Sequence, residues 1–134
     1  MKALITGATG FLGGWLTERL VQDGHDVRVL CRDRNRLHPV LQSKVQIIHG
    51  DVVKQDEVMN ATKNCELVFH LAGYIGYKSS ERKIMEQVNV LGTKNVVEAC
   101  VLHQVKRLIH MSSVVAVGAS VSYTHLTLPT NREV

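Results

Sequence analysis

Apolar residues in this chain fall into short runs that stop at glycine and longer stretches with a three-to-four-residue recurrence. KALIT (2–6) is the first short run and stops at Gly7, as a strand buried on both faces does. FLGGWLTERLVQDG (11–24) follows, with Leu12, Leu16 and Leu20 at helical spacing and Gly24 as a stop signal. DVRVLCR (26–32) and KVQIIHGD (44–51) are the next strand-like runs, joined by a short basic connection that Pro39 breaks. KQDEVMNATKNC (54–65) suits a brief surface helix, and ELVFHLAG (66–73) a fourth strand ending at glycine. SERKIMEQVNVLGTKNVVEACVLHQ (80–104) places Ile84, Val88, Leu91, Val96 and Cys100 along one side, which predicts a long helix with a broad face on a sheet. VKRLIHMSS (105–113) is a fifth strand.

Strands that alternate with helices, and are this apolar, predict an α/β fold: a Rossmann-type, doubly wound parallel sheet. The expected strand order is 3-2-1-4-5, with a ligand crevice at the carboxyl ends of the first and fourth strands. Residues 1–119 form one such domain, expected to be truncated, since nothing after the fifth strand supplies further strands or a substrate lobe.

Composition changes this picture little. The chain has 134 residues, 45% of them hydrophobic, enough for a packed core. The net charge of +4 is mild, and its one concentration is Arg28, Arg32, Arg34 and Arg36. Four arginines in nine residues suit a single phosphate as well as a nucleic acid, and no nucleic-acid partner is expected. No apolar run approaches the ~18 residues of a membrane span, so no membrane partner is expected either. Cys31, Cys65 and Cys100 are widely spaced, which points to a reducing, cytoplasmic setting. The seven histidines show no metal-ligand spacing, and no metal site is expected.

The chemistry concentrates in TGATGFLGGWL (6–16), between the first strand and the first helix. Gly7, Gly10 and Gly13 sit three apart. In that setting the first permits a tight turn, the second lets backbone approach a pyrophosphate, and the third brings helix close to sheet. The helix start then offers free N–H groups to phosphate. No Gly-Lys-Ser/Thr follows, which excludes an ATPase phosphate loop.

This Thr-Gly-x-x-Gly-x-x-Gly turn resembles the extended short-chain dehydrogenase/reductase family, which includes NAD-dependent epimerase/dehydratases and dihydroflavonol-reductase-like enzymes. GDV (50–52), HLAG (70–73), NVLGTKNVVEAC (89–100) and SSVVAVG (112–118) match the family in order. The resemblance implies a dinucleotide site at Thr6, Gly7, Gly10, Phe11, Leu12 and Gly13. It implies that Asp51, with Val52 beside it, accepts a hydrogen bond from the adenine amino group. A turn aspartate capping the next helix is the local alternative. Leu71, Ala72 and Gly73 would run beside the cofactor's ribose and phosphates, and Asn89 would hold neighbouring backbone. At the end of the second strand, where NAD-specific sheets place an acid, stand Cys31 and Arg32. Arg32 suits a 2′-phosphate, so the expected cofactor is NADP, preferred over NAD.

The resemblance also implies that Ser113 is the catalytic hydroxyl, bonding the substrate carbonyl. The family's proton donor is a tyrosine in a Tyr-x-x-x-Lys helix downstream of that serine. Tyr74 and Lys78 have the spacing but precede Ser113 in a loop, and Tyr123 has Thr127 at the partner position. The 134 residues by themselves are therefore expected to show no turnover. The expected function of the parent is an oxidoreductase that reduces a carbonyl or oxidises an alcohol, with a possible homodimer through the long helix. An NAD-dependent sugar-nucleotide epimerase/dehydratase and a non-catalytic nucleotide sensor are the alternatives. VSYTHLTLPT (121–130) resembles a translated sequencing adapter, one frame of which encodes all ten residues. Residues 120–134 are accordingly expected to be a non-native tail.

Overall fold

The computed structural model describes residues 1–114. Ser120 and the stretch read as adapter lie outside these residues, as do Tyr123 and Thr127. Five parallel strands, β1 (Lys2–Thr6), β2 (Asp26–Cys31), β3 (Gln46–His49), β4 (Leu67–His70) and β5 (Arg107–His110), form one sheet in the order β3-β2-β1-β4-β5. This is the expected doubly wound arrangement. The helices are α1 (Phe11–Gln22), α2 (Pro39–Gln42), α3 (Gln55–Thr62), α4 (Arg82–Met85) and α5 (Gly92–Leu102). A 3-10 turn covers Arg34–Arg36, and a π-helical stretch, Glu86–Leu91, joins α4 to α5. No helix among the described residues is long and apolar enough to cross a membrane.

Alternation along each strand feeds two cores. Leu4, Leu30 and Val68 face α3 and α5, where they meet Val58, Ala61, Val96, Ala99 and Cys100. Ala3, Ile5, Val27 and Val29 pack on the other side with Leu20, Leu37 and Leu41. The connection around Pro39 is thus a short helix whose Leu41 is core, not a bare loop. The long-helix expectation is corrected in one respect. Ile84 and Leu91 stay 39% and 40% exposed, because the π stretch rotates the apolar face away from the one α5 presents.

Arg28 also departs from the reading of a basic cluster. Its position, two residues before Leu30, turns it into the interior, and it is 7% exposed. Nη1 donates to the carbonyls of Ala61 and Lys63 at 2.7 Å each, closing the end of α3, and Nε donates to Gln46 Oε1 at 2.9 Å. The acceptors on α3 are main-chain carbonyls that no apolar replacement can satisfy. Arg28→Met is therefore expected to lower the unfolding free energy by about 3 kcal/mol, measured by urea denaturation.

Strand register sets the stage for a site. Thr6 lies opposite both Leu30 and His70, and Cys31 lies opposite His49. The strands therefore end level, and Gly7, Arg32, Gly50 and Leu71 emerge together on one edge.

Candidate functional site

At that edge the chain turns sharply at Gly7, with φ +80°. A side chain here would place its Cβ 2.6 Å from the Leu71 carbonyl carbon and 2.7 Å from the Ala72 nitrogen. Backbone thus meets backbone across the gap between β1 and β4. At Gly13 a Cβ would fall inside the Gly7 carbonyl oxygen, which explains how closely α1 approaches the turn. Gly10 caps α1 without a side-chain hydrogen bond, and the first turn holds no acidic residue. No side-chain cap therefore covers the first-turn amides, and the positive end of the helix is left open there.

A cleft of about 260 Å³ opens over this turn. Of the residues expected to bind cofactor, Gly7, Gly10, Arg32, Asp51, Val52, Leu71, Ala72 and Gly73 line it. Thr6, Phe11, Leu12 and Gly13 do not. Gly13 is buried, and the Phe11 ring, 85% exposed, lines a separate hollow of about 550 Å³ on the outer side of α1. That hollow is larger but shares only Thr9, Gly10 and Arg36 with the cleft. It lacks the strand ends and the close-packed glycine turn, so the smaller cleft is the candidate site.

Thr6 is wholly buried, which rules out contact between its side chain and a ligand in this conformation. Its hydroxyl oxygen instead accepts the Ala72 amide at 3.2 Å and lies 2.7 Å from His70 Nδ1. His70 is buried too; its Nε2 lies 3.0 Å from Thr93 Oγ1 on α5, and its ring stacks on His110 of β5 at 5.3 Å. Burial first, and the neighbouring His110 second, push the His70 pKa down to about 4. No local pattern marks this cluster, whose members lie up to 104 positions apart.

On the far wall, Asp51 Oδ1 accepts the Val53 amide at 3.2 Å, and the Asp51 amide donates to Glu57 at 2.8 Å. Asp51 is thus a turn aspartate that also faces the cleft. Val52 is held by buried Asn95, whose Nδ2 donates to its carbonyl at 2.8 Å. Asn89, within the π stretch, grips Tyr74 at both backbone groups, accepting from its N–H at 2.8 Å and donating to its carbonyl at 2.9 Å. This is the backbone-holding role implied for it.

Two arginines stand at the rim. Arg32 and Arg36 both line the cleft and are exposed. Asp33 is not part of the lining; its Oδ1 accepts the Asn35 amide at 2.9 Å and caps the 3-10 turn. Tyr74 donates to Glu81 at 3.1 Å, and that carboxylate raises its pKa, the opposite of what a proton donor needs. Ser113 lies exposed beyond β5 and is not part of the cleft lining.

A profile of the 3-beta hydroxysteroid dehydrogenase/isomerase family matches residues 4–127. The 2-alkyl-3-oxoalkanoate reductase of Stenotrophomonas maltophilia is 39% identical over 114 residues, which cover 84% of this chain and 33% of that protein. The UDP-glucose 4-epimerase of Mycolicibacterium smegmatis is 36% identical over 141 aligned positions, covering 99% of this chain and 44% of that protein. A mutant uronate dehydrogenase from Agrobacterium tumefaciens, solved in complex with NAD, superposes with a TM-score of 0.70 at 28% identity. It covers 84% of this chain, which spans 40% of its length. The chain thus spans less than half the length of these relatives.

Proposed function

This chain belongs to the 3-beta hydroxysteroid dehydrogenase/isomerase family, within the extended short-chain dehydrogenases/reductases, and from that premise we propose that it binds a nicotinamide dinucleotide for an oxidoreductase. The reaction is reduction of a carbonyl or oxidation of an alcohol, with the nicotinamide supplying or accepting the hydride. The carrying observation is the cleft in which Gly7, pressed on Leu71–Ala72, meets the uncapped start of α1. A pyrophosphate fits there because no side chain intervenes and the amides of the helix start face it. Asp51 and Val52 would hold the adenine side, and Leu71, Ala72 and Gly73 would flank the ribose and phosphates. Ser113 would donate a hydrogen bond to the substrate oxygen as negative charge develops on it.

NADP is the cofactor we infer. Arg32 and Arg36 both line the cleft beyond β2, while Asp33 is not among its lining residues, so that rim offers two forks for a phosphate. Equilibrium titration with both reduced cofactors tests this. Arg32→Ala is expected to weaken NADPH binding about tenfold, and the Arg32→Ala/Arg36→Ala pair further, with NADH binding changed less than about twofold. Tighter NADH binding that ignores both substitutions would overturn the preference.

The similarity to UDP-glucose 4-epimerase supports a second reading, in which the parent holds NAD and acts on a sugar nucleotide. The same titration tests the cofactor half of this reading, which predicts tighter binding of NADH than of NADPH. A homodimer of the longer protein is part of the first reading, and α5 leaves Val97 and Val101 exposed for it.

A further inference from the structure

Ala72 is both a wall of the cleft and the end of a buried hydrogen-bond chain. The chain leaves β4 after His70, and Thr6 takes the next two amides: Leu71 N–H donates to its carbonyl at 3.1 Å and Ala72 N–H to its hydroxyl oxygen at 3.2 Å. These two bonds fix how Leu71–Gly73 lies against Gly7. The Thr6 hydroxyl carries one proton and two lone pairs. With the Ala72 amide on one lone pair, its proton needs an acceptor in a fully buried place, and His70 Nδ1 at 2.7 Å is the acceptor present. An Nδ1–H ring would instead load both lone pairs of Thr6 and leave the hydroxyl proton stranded. The ring proton therefore belongs on Nε2, which donates to Thr93 Oγ1 at 3.0 Å.

We propose that His70 is a positioning residue of the dinucleotide cleft: as the neutral Nε2–H tautomer it accepts a hydrogen bond from the Thr6 hydroxyl at Nδ1, which turns the Thr6 oxygen to the Ala72 amide and holds the Leu71–Gly73 wall. This rests on the reading of the cleft as a dinucleotide site. The surroundings keep the ring neutral: it is buried, and among the described residues the groups facing it are His110 from β5, stacked on it, and the hydroxyls of Thr93 from α5 and Thr6 from β1. The low His70 pKa agrees with that environment.

Two substitutions divide the two ring nitrogens. Asparagine places an acceptor near the Nδ1 position, and glutamine reaches the Nε2 position. In the 134-residue chain, His70→Asn is expected to keep the NADPH dissociation constant within about twofold of wild type, and His70→Gln to raise it about tenfold. Ala72 amide exchange without cofactor should follow the same order, although both variants lose comparable thermal stability. Heteronuclear NMR of the wild-type ring at neutral pH should show the proton on Nε2. Equal effects of Asn and Gln, or a proton on Nδ1, would overturn the proposal. If neither variant folds, Thr6→Ser against Thr6→Val gives the same comparison: serine should retain Ala72 protection and valine lose it, and equal protection in both overturns the relay. A wild-type chain that binds no dinucleotide overturns the reading of the cleft, while the tautomer and the Ala72 exchange still decide the relay.

Discussion

Gly7→Ala is expected to destabilise the chain by about 3 kcal/mol and to abolish measurable dinucleotide binding. Two costs combine. The backbone at φ +80° is one that side chains rarely adopt, at about 1–2 kcal/mol. The added Cβ would also lie 2.6 and 2.7 Å from main-chain atoms of Leu71 and Ala72, contacts that only a shift of β1 or β4 relieves. Forcing packed elements apart costs about 1–3 kcal/mol more. The shift also moves the cleft wall, so binding fails together with stability. Urea denaturation and cofactor titration of the same sample check both parts.

Gly73→Val separates what Gly7→Ala combines. Gly73 has no positive φ, and among the described residues beyond its chain neighbours a Cβ there would meet only Asn89 Oδ1, at 3.5 Å. The fold accommodates the change, with stability moving by less than about 0.5 kcal/mol. The added methyls, however, project at a residue that lines the cleft. Affinity is expected to fall roughly thirtyfold or more, about 2 kcal/mol. A valine variant with full stability and full affinity would mean that the dinucleotide does not pass along β4.

Strand order and the location of the cleft were legible in the chain because both depend on local signals. Glycines end the runs, and a helix pattern starts at once after TGATG. What escaped depends on partners distant in sequence. Arg28 looked like part of an exposed basic cluster, yet the alternation that buries Leu30 also buries Arg28, and Ala61 and Lys63 supply its acceptors from 33 and 35 residues away. Thr6 looked like a ligand residue from its place in the glycine motif, but His70, 64 positions on, takes its hydroxyl inward. The π stretch has no sequence period of its own, so Ile84 and Leu91 read as core when they are not. Arg36 was one charge among four until the 3-10 turn brought it to the same cleft as Arg32.

The dinucleotide is expected in this cleft rather than in the larger hollow beyond α1. Amide chemical-shift mapping during a titration with NADPH tests it residue by residue. The largest saturable shifts are expected at Gly7, Gly10, Asp51, Ala72 and Gly73. Shifts centred on Trp15, Val40 and Leu41, or none at saturating cofactor, would contradict it.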